Sequence, residues 1–200
     1  MDAGQSSFMK VSGVRQGSAS GLPSPRATVL HAGMEIREAI PEEADQVSRV
    51  LRRSITELCE ADHHGDSALL AAWLSNKTPE IVAAWMRRTD VSYLVAIEQG
   101  AIAAVGAVTD GGAILLNYVS PDARFRGASR ELLAAMEARA ADDGATVCNR
   151  ISTETAHRFY LARGYEEIGE PVRKIGMDSG YPMSKVLARP AGLPGQAADM

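Results

Sequence analysis

The stretch Val119–Leu133 carries residue types that suit the binding of an anion. An apolar run leads into it, an amphipathic run leads out, and a proline, arginines, a glycine and small residues lie between. A helix that begins here presents unpaired backbone amides, Arg124 and Arg126 add positive charge, and Gly127 lets a ligand approach the backbone. The pattern predicts a phosphate-binding helix start that a pyrophosphate would fit. An ordinary strand–turn–helix with solvated arginines has the same residue types.

A second group of residues with chemical potential lies in Thr153–Tyr165. Thr153 suits a helix N-cap and Gly164 suits a helix end, so the residues between them predict a short helix. This helix carries Phe159 and Tyr160, and aromatic rings at helical spacing are usually core residues. On its own, the segment indicates a packed helix and leaves the role of Tyr160 open.

The periodicity of the chain sets these two segments in an alternation of strands and helices. The predicted order is β-α-α-α-β-β-β-α-β-α-β-β, and the polar segment Glu60–Asp66 after the first helix is predicted to be a loop. Three strands separated by tight turns predict an antiparallel meander: Ser92–Ile97, Ile102–Val108 and Ala113–Val119. A strand–helix–strand unit after the meander predicts an α/β (α+β) domain whose mixed sheet has helices on both faces.

Length and composition limit the remaining possibilities. The 200 residues suit one buried core, with residues 34–187 as the folded domain. Residues 1–33 are predicted to be a disordered extension and residues 188–200 a flexible tail. The net charge of −4 and the scattered basic residues predict no nucleic-acid partner, and no apolar run is long enough for a membrane span. Two distant cysteines favour a cytoplasmic protein without a disulfide framework.

Together, the two segments resemble the GNAT superfamily of N-acetyltransferases, in particular its small single-domain bacterial members. The family's first block reads Val-x-Pro-x-x-Arg-Gly-x-Gly-x-Gly/Ala-x-x-Leu-Leu, and the residues in register with it are Val119, Pro121, Arg124, Gly127, Leu132 and Leu133. The second block reads Asn-x-x-Ala-x-x-Phe/Leu-Tyr-x-x-x-Gly-Phe/Tyr, and the residues in register are Ala156, Phe159, Tyr160, Gly164 and Tyr165, with Thr153 in the Asn position. The resemblance implies a mostly antiparallel central sheet of six to seven strands flanked by about four helices.

Two residues depart from the family pattern. Phe125 stands where the family usually has glycine, and Ser129 stands where it has glycine or alanine. Ser129 is small and could donate to a phosphate oxygen, whereas Phe125 requires a backbone conformation that is available to non-glycine residues. These departures bear on the affinity for the cofactor. They also favour the alternative function, a catalytically weak or inactive CoA-binding module with a regulatory role.

The resemblance implies acetyl-CoA as a co-substrate, no metal, and direct attack of a primary amine on the thioester in a ternary complex. The acceptor would be a small-molecule or peptide amine. Because many members of the family dimerise, the resemblance also allows a homodimer. A strand that ends at Val119 would pair with the pantetheine arm as a peptide adds to a sheet edge. The implied cofactor-binding residues are Asn117, Tyr118, Val119, Arg124, Phe125, Arg126, Gly127, Ala128, Ser129 and Arg130.

The resemblance also implies two proton transfers. Tyr160 occupies the general-acid position of the family, and a phenol with a pKa of about 10 can protonate a thiolate whose conjugate acid has a pKa of about 8.5. The base is expected in the loop after the first helix, which borders the acceptor site in this family, with Glu60 as our candidate. The other candidates are Asp62, His63 and His64. The segment Glu60–Asp66 has three acids and no Lys or Arg, which favours a cationic acceptor.

Two other kinds of site can be drawn from the same residues. A zinc site could use Cys59 with His63 and His64, although no paired ligand set accompanies them. A serine hydrolase could use Ser129, which follows a strand and opens a helix, together with His157. The second glycine of the Gly-x-Ser-x-Gly motif is replaced by Glu131, which weighs against this interpretation.

Overall fold

The computed structural model describes residues 29–31, 33–174 and 177–188. The helices of these ranges are α1 (Ala44–Leu58), α2 (Glu60–His63), α3 (Ser67–Leu74), α4 (Pro79–Met86), α5 (Ala128–Asp142) and α6 (Glu154–Leu161). The strands are β1 (Val29–His31), β2 (Met34–Glu38), β3 (Val91–Glu98), β4 (Ala101–Thr109), β5 (Ile114–Val119), β6 (Val147–Ser152), β7 (Glu166–Glu167), β8 (Val172–Lys174) and β9 (Met177–Val186). The predicted α+β class and the antiparallel meander β3–β4–β5 are confirmed.

The strands form two antiparallel sheets that meet at one point. The first sheet has the order β1-β2-β3-β4-β5, and the second has β6-β9-β7 with β8 paired to β9. A parallel bridge between Ala113 and Asn149 joins them, and the Asn149 amide donates to the Gly112 carbonyl at 2.9 Å. Past this bridge β5 and β6 separate, so each presents a free edge to the space between them.

The structure differs from the sequence prediction at three short elements. The strand Val29–His31 lies inside the range predicted to be disordered, and it pairs with β2 across a turn in which Gly33 has a φ of +82°. Val172–Lys174 adds a further strand, so the described residues hold nine strands rather than six to seven. The predicted loop Glu60–Asp66 contains the short helix α2. Elements of three or four residues are too short to show a hydrophobic period.

The remaining predictions for the ends of the chain concern residues that are not described. Residues 1–28 and 189–200 lie outside the described residues, and so do the disordered extension and the flexible tail that were predicted for them. Among the helices that are described, none has the length and apolar character that crossing a membrane requires.

Helices pack on both faces of the first sheet. α1 and α4 bury Leu51 and Val82 against Val105 on one face, and α5 buries Leu132 and Met136 on the other. Close packing of α5 depends on Gly106 in β4, because a Cβ there would lie 2.7 Å from the Met136 sulfur. This packing sets the N-terminus of α5 directly beyond the end of β5.

Candidate functional site

A cavity of about 310 Å³ opens where β5 and β6 separate. Its wall consists of the second half of β5, the loop that enters α5, one residue of β6, the helix α6 and the end of α1. The two segments that the sequence singles out, Val119–Leu133 and Thr153–Tyr165, therefore face one cavity. They lie at opposite ends of it, with the free edge of β5 between them.

The outer end of the cavity is the start of α5. Gly127 precedes the helix with a φ of +91°, a conformation that favours glycine, and no described side chain caps the start of the helix. Within the described residues, the backbone amides of Phe125–Ser129 have no backbone acceptor. The Arg130 amide was included in the predicted site, but it donates to the Gly127 carbonyl at 2.9 Å. We call Phe125–Ser129 the anion cradle, since unpaired amides at a helix start bind phosphate.

Two of the three arginines around the anion cradle point into the cavity. Arg124 and Arg130 line it, and the Arg124 guanidinium lies 4.5 Å from the centre of the Phe125 ring. Arg126 was predicted to bind the cofactor, but it pairs with Glu98 at 3.1 Å and lines a neighbouring groove beside α1. The structure thus separates the Arg126 side chain from the other predicted cofactor residues, all of which line the cavity.

Phe125 corrects one expectation from the sequence. It was expected to take a backbone conformation that is ordinary for non-glycine residues, but its φ is +66°, in the left-handed region. The side chain is 90% exposed, and its ring contact is the Arg124 guanidinium on the cavity wall, so burial in the core does not impose this conformation. The loop therefore keeps the backbone conformation that a glycine adopts easily at this position.

The inner end of the cavity is built around the hydroxyl of Tyr160. The Arg150 guanidinium donates to this hydroxyl and lies 4.2 Å from the ring centre, and the Asn117 side-chain amide donates to it at 3.1 Å. Tyr160 itself is fully buried between the rings of Phe159 and Tyr165. Two donors occupy the lone pairs of the phenol oxygen, so its own hydrogen remains to be donated.

The polar segment after α1 does not bring its carboxylates into the cavity. Asp62 is buried and accepts hydrogen bonds from the amides of Glu154 at 2.7 Å and Thr155 at 3.3 Å, so it caps α6. Asp66 caps α3 in the same way. Glu60, the predicted base, is exposed and does not line the cavity. The three acids therefore do not form an acceptor site for a cation.

The histidines of this segment also lie outside the cavity wall. His63 is buried and its Nδ1 accepts from the Gly65 amide at 3.1 Å. His64 ends α2 with a φ of +49°. Neither residue is among those that line the cavity.

Sequence reasoning missed Arg150. Arg150 follows the apolar start of β6, and a charged residue in such a strand is the sequence signal that could have identified it as a site residue. Cys59 and Tyr118 also line the cavity, where burial raises the pKa of the Cys59 thiol to about 12 and raises the pKa of the Tyr118 phenol. The charged side chains of the cavity wall are therefore Arg124, Arg130 and Arg150, with no described Asp, Glu or His among them.

The other sites drawn from the sequence do not assemble. No three His, Cys, Asp or Glu side chains of the described residues gather as a metal site, which removes the support for zinc at Cys59. Ser129 lines the cavity, but His157 binds Glu167 at 2.8 Å and stacks on Tyr181 outside it. A serine–histidine pair for hydrolysis is therefore not formed.

Residues 59–187 match the family model of the acetyltransferase (GNAT) domain. The chain belongs to the GNAT family. The resemblance of the two sequence blocks is thereby confirmed, and the GNAT domain spans the cavity from the end of α1 to the end of β9. No curated protein matches this GNAT chain significantly.

Solved structures share the fold at low sequence identity. A GCN5-related N-acetyltransferase from Rhodopseudomonas palustris has 23% identity and a TM-score of 0.70, over 80% of this chain and 100% of its own. The PaiA N-acetyltransferase from Thermoplasma acidophilum, solved in complex with coenzyme A, has 17% identity and a TM-score of 0.65, over 76% and 98%. The structure of YncA from Salmonella typhimurium with its cofactor acetyl-CoA has 16% identity and a TM-score of 0.60, over 83% and 100%.

Proposed function

We propose that this GNAT protein transfers the acetyl group of acetyl-CoA to a primary amine by direct attack in a ternary complex. The observation that carries the proposal is the single cavity that joins the anion cradle to the buried hydroxyl of Tyr160 along the free edge of β5. The Thermoplasma acidophilum relative in complex with coenzyme A and the Salmonella typhimurium relative with acetyl-CoA support the choice of cofactor.

The residues of the cavity fit the parts of acetyl-CoA. The unpaired amides of the anion cradle suit a pyrophosphate, and Arg124 and Arg130 complement its charge. The edge of β5 offers backbone groups to the amides of the pantetheine arm, as an edge strand does to a peptide. When bound, acetyl-CoA would supply an activated thioester carbonyl at the inner end of the cavity.

Tyr160 is the proposed general acid. Its hydroxyl accepts from Arg150 and Asn117, and both donors would stabilise the phenolate that remains after the proton leaves. The side chain has no exposed surface, so the thiolate sulfur reaches the hydroxyl only if one of these two neighbours shifts. Both neighbours are partly exposed and line the cavity, which makes such a shift sterically simple.

We propose Glu60 as the base that accepts the proton of the acceptor amine. Its carboxylate is exposed and stands outside the cavity wall, so it would accept the proton through water rather than directly. Replacement by glutamine is then expected to lower turnover only a few-fold, because solvent can take over the relay.

Release of CoA from acetyl-CoA across a panel of primary amines tests the proposal. Tyr160→Phe is expected to lower kcat by about a hundredfold, the contribution of a positioned acid, with little change in the Kd for acetyl-CoA. Tyr118→Phe is the matched control, since it removes a second phenol from the same cavity wall. Unchanged turnover in Tyr160→Phe would refute the acid assignment, and tight CoA binding without turnover on any amine would favour the regulatory module.

A further inference from the structure

Arg150 is a cation at the inner end of the cavity, and the described residues give it no carboxylate partner. Its hydrogen bonds within the described residues go to the Ile151 carbonyl, at 3.1 and 3.3 Å, and to the Tyr160 hydroxyl. Seven of the other described arginines lie against a carboxylate, and Arg124 of the same cavity wall is not among them: Arg37, Arg49, Arg53, Arg88, Arg126, Arg130 and Arg139. A half-buried guanidinium gains most from a charged partner, so its position in a ligand cavity points to an anionic ligand group.

We propose that the acceptor amine carries a carboxylate close to its amino group and that Arg150 binds this carboxylate. The inference rests on the proposed acetyl transfer and names the class of acceptor. The anion cradle at the other end of the cavity would bind the pyrophosphate of the cofactor. The pyrophosphate therefore does not compete with the acceptor for Arg150.

The donor count of Arg150 suits a carboxylate. A guanidinium has five N–H groups. Nε, one N–H of Nη2 and one N–H of Nη1 are used by Ile151 and Tyr160. One N–H remains on each terminal nitrogen, and two N–H groups are what a carboxylate needs for paired hydrogen bonds.

A place for the amino group lies beside the same hydroxyl. Among the described residues, the buried Oδ1 atom of Asn117 has no hydrogen-bond partner, although the side chain lines the cavity. An acceptor N–H would satisfy this oxygen, which is otherwise costly to bury. Asn117 and Arg150 both donate to the Tyr160 hydroxyl, so their free groups lie within a few ångströms of each other. That proximity suits an amine and a carboxylate separated by a short carbon chain.

The charge of the cavity agrees with this class of acceptor. The cationic acceptor favoured by the sequence depended on the acids of Glu60–Asp66, but Asp62 and Asp66 are committed to helix caps. An acceptor with an additional positive group would meet Arg150 with no acidic side chain of the cavity wall to offset it. A carboxylate replaces this repulsion by an attraction in a partly dehydrated site.

Matched acceptors test the inference without relying on one substrate. Free amino acids and their primary amides present the same amino group, while the amide lacks the negative charge. Because the lost charge also lowers the pKa of the amine, kcat/KM is compared per concentration of neutral amine. The wild type is expected to prefer the acid by about tenfold to a hundredfold in kcat/KM, the value of hydrogen bonds to a charged group. Arg150→Gln is expected to bring the ratio near one, and Arg150→Lys to keep part of it. Arg163→Gln, an exposed residue beyond α6, is the control and keeps the ratio.

The outcomes separate the inference from the proposed function. Equal use of acids and amides by the wild type overturns the role of Arg150 while the acetyl transfer stands. Absence of acetylation on every amine removes the proposed function, and the carboxylate site is then decided by calorimetry of N-acetyl amino acids on the CoA-saturated protein. Binding that is lost in Arg150→Gln and partly kept in Arg150→Lys supports the site, and equal binding to the wild type and Arg150→Gln overturns it.

Discussion

Phe125 combines a bulky side chain with a backbone conformation that glycine adopts more easily. Its φ is +66° and its ring is exposed, and replacement by alanine and by glycine removes the ring contact with Arg124 equally. Phe125→Gly is expected to be more stable than Phe125→Ala by about 1 kcal/mol, because a left-handed φ costs alanine roughly this amount. Urea unfolding of the two variants measures the difference. At an ordinary φ the order is reversed, so a more stable alanine variant would show that the strain is absent.

Lys77 is a buried cation with no described carboxylate in an ion pair with it. Its ammonium group lies 3.4 Å from the Trp73 carbonyl, bonds the Asn76 side chain and stands 5.4 Å from the centre of the Trp85 ring. Burial lowers the pKa of Lys77 from 10.5 to about 8. Below pH 8 the ammonium is charged in both the folded and the unfolded state, and the penalty of burying it is fully present. Between pH 8 and 10.5 only the unfolded state keeps the proton, so this penalty fades as the pH rises.

Replacement of Lys77 by methionine tests this account. Lys77→Met is expected to raise the free energy of unfolding by about 2 kcal/mol at pH 7, with an advantage over the wild type that shrinks above pH 8 and vanishes near 10.5. Denaturant titrations at a series of pH values measure the difference. Lys185→Met is the control, since Lys185 lies 2.6 Å from Glu137 and its loss leaves a carboxylate unpaired. A pH-independent gain in Lys77→Met would contradict the role of the charge.

At the scale of elements, the helix α6 is held by a residue from a distant part of the chain. The buried Asp62 accepts from the amides of Glu154 and Thr155 and from the Thr155 hydroxyl at 2.5 Å. Asp62→Ala is expected to lower the free energy of unfolding by about 2–3 kcal/mol, because buried donors are left without an acceptor. Asp66→Ala removes an exposed cap of α3 and is expected to cost about 1 kcal/mol.

The same pair of variants separates a structural from a catalytic role for Asp62. Equilibrium unfolding reports the cap, while acetyl-CoA turnover reports a base. The Asp62→Ala variant could have the same free energy of unfolding as Asp66→Ala and yet lose acetyl-CoA turnover. Asp62 would then act on the substrate rather than on α6.

Local sequence signals predicted the helices and strands well. They predicted the residues around the Tyr160 hydroxyl poorly. The N-cap of α6 was visible in the sequence, and Thr153 does accept from the Ala156 amide at 3.1 Å. The role of Asp62 was not visible, because its partners lie about ninety residues further along the chain. Arg150 and Asn117 likewise reach Tyr160 only through the packing of β5, β6 and α6. Propensity and periodicity describe neighbours in sequence, whereas these contacts depend on where whole elements are placed.

At the scale of the whole molecule, the two sheets are joined at Gly112. Its φ is +82°, and a Cβ atom there would lie 2.2 Å from the Val147 carbonyl oxygen, which is backbone and cannot rotate away. Gly112→Ala is therefore expected to lower the free energy of unfolding by more than about 3 kcal/mol. Gly111→Ala is the neighbouring control with open space around it, and it should cost less than about 1 kcal/mol. Similar unfolding midpoints for the two variants would show that the joint tolerates a wider spacing.

Because β5 and β6 share a single bridge, each sheet has an edge of backbone groups that lacks a neighbouring strand. Amides on such edges open and exchange with solvent more freely than those inside a sheet. A narrow ligand that lies between the two edges would take the place of a strand there. It would couple the motions of the two sheets. Occupancy would then slow amide exchange even in β9, which contacts β6 and lies outside the cavity wall. If acetyl-CoA occupies this space as proposed, the separation of the strands makes the rigidity of the fold depend on that occupancy.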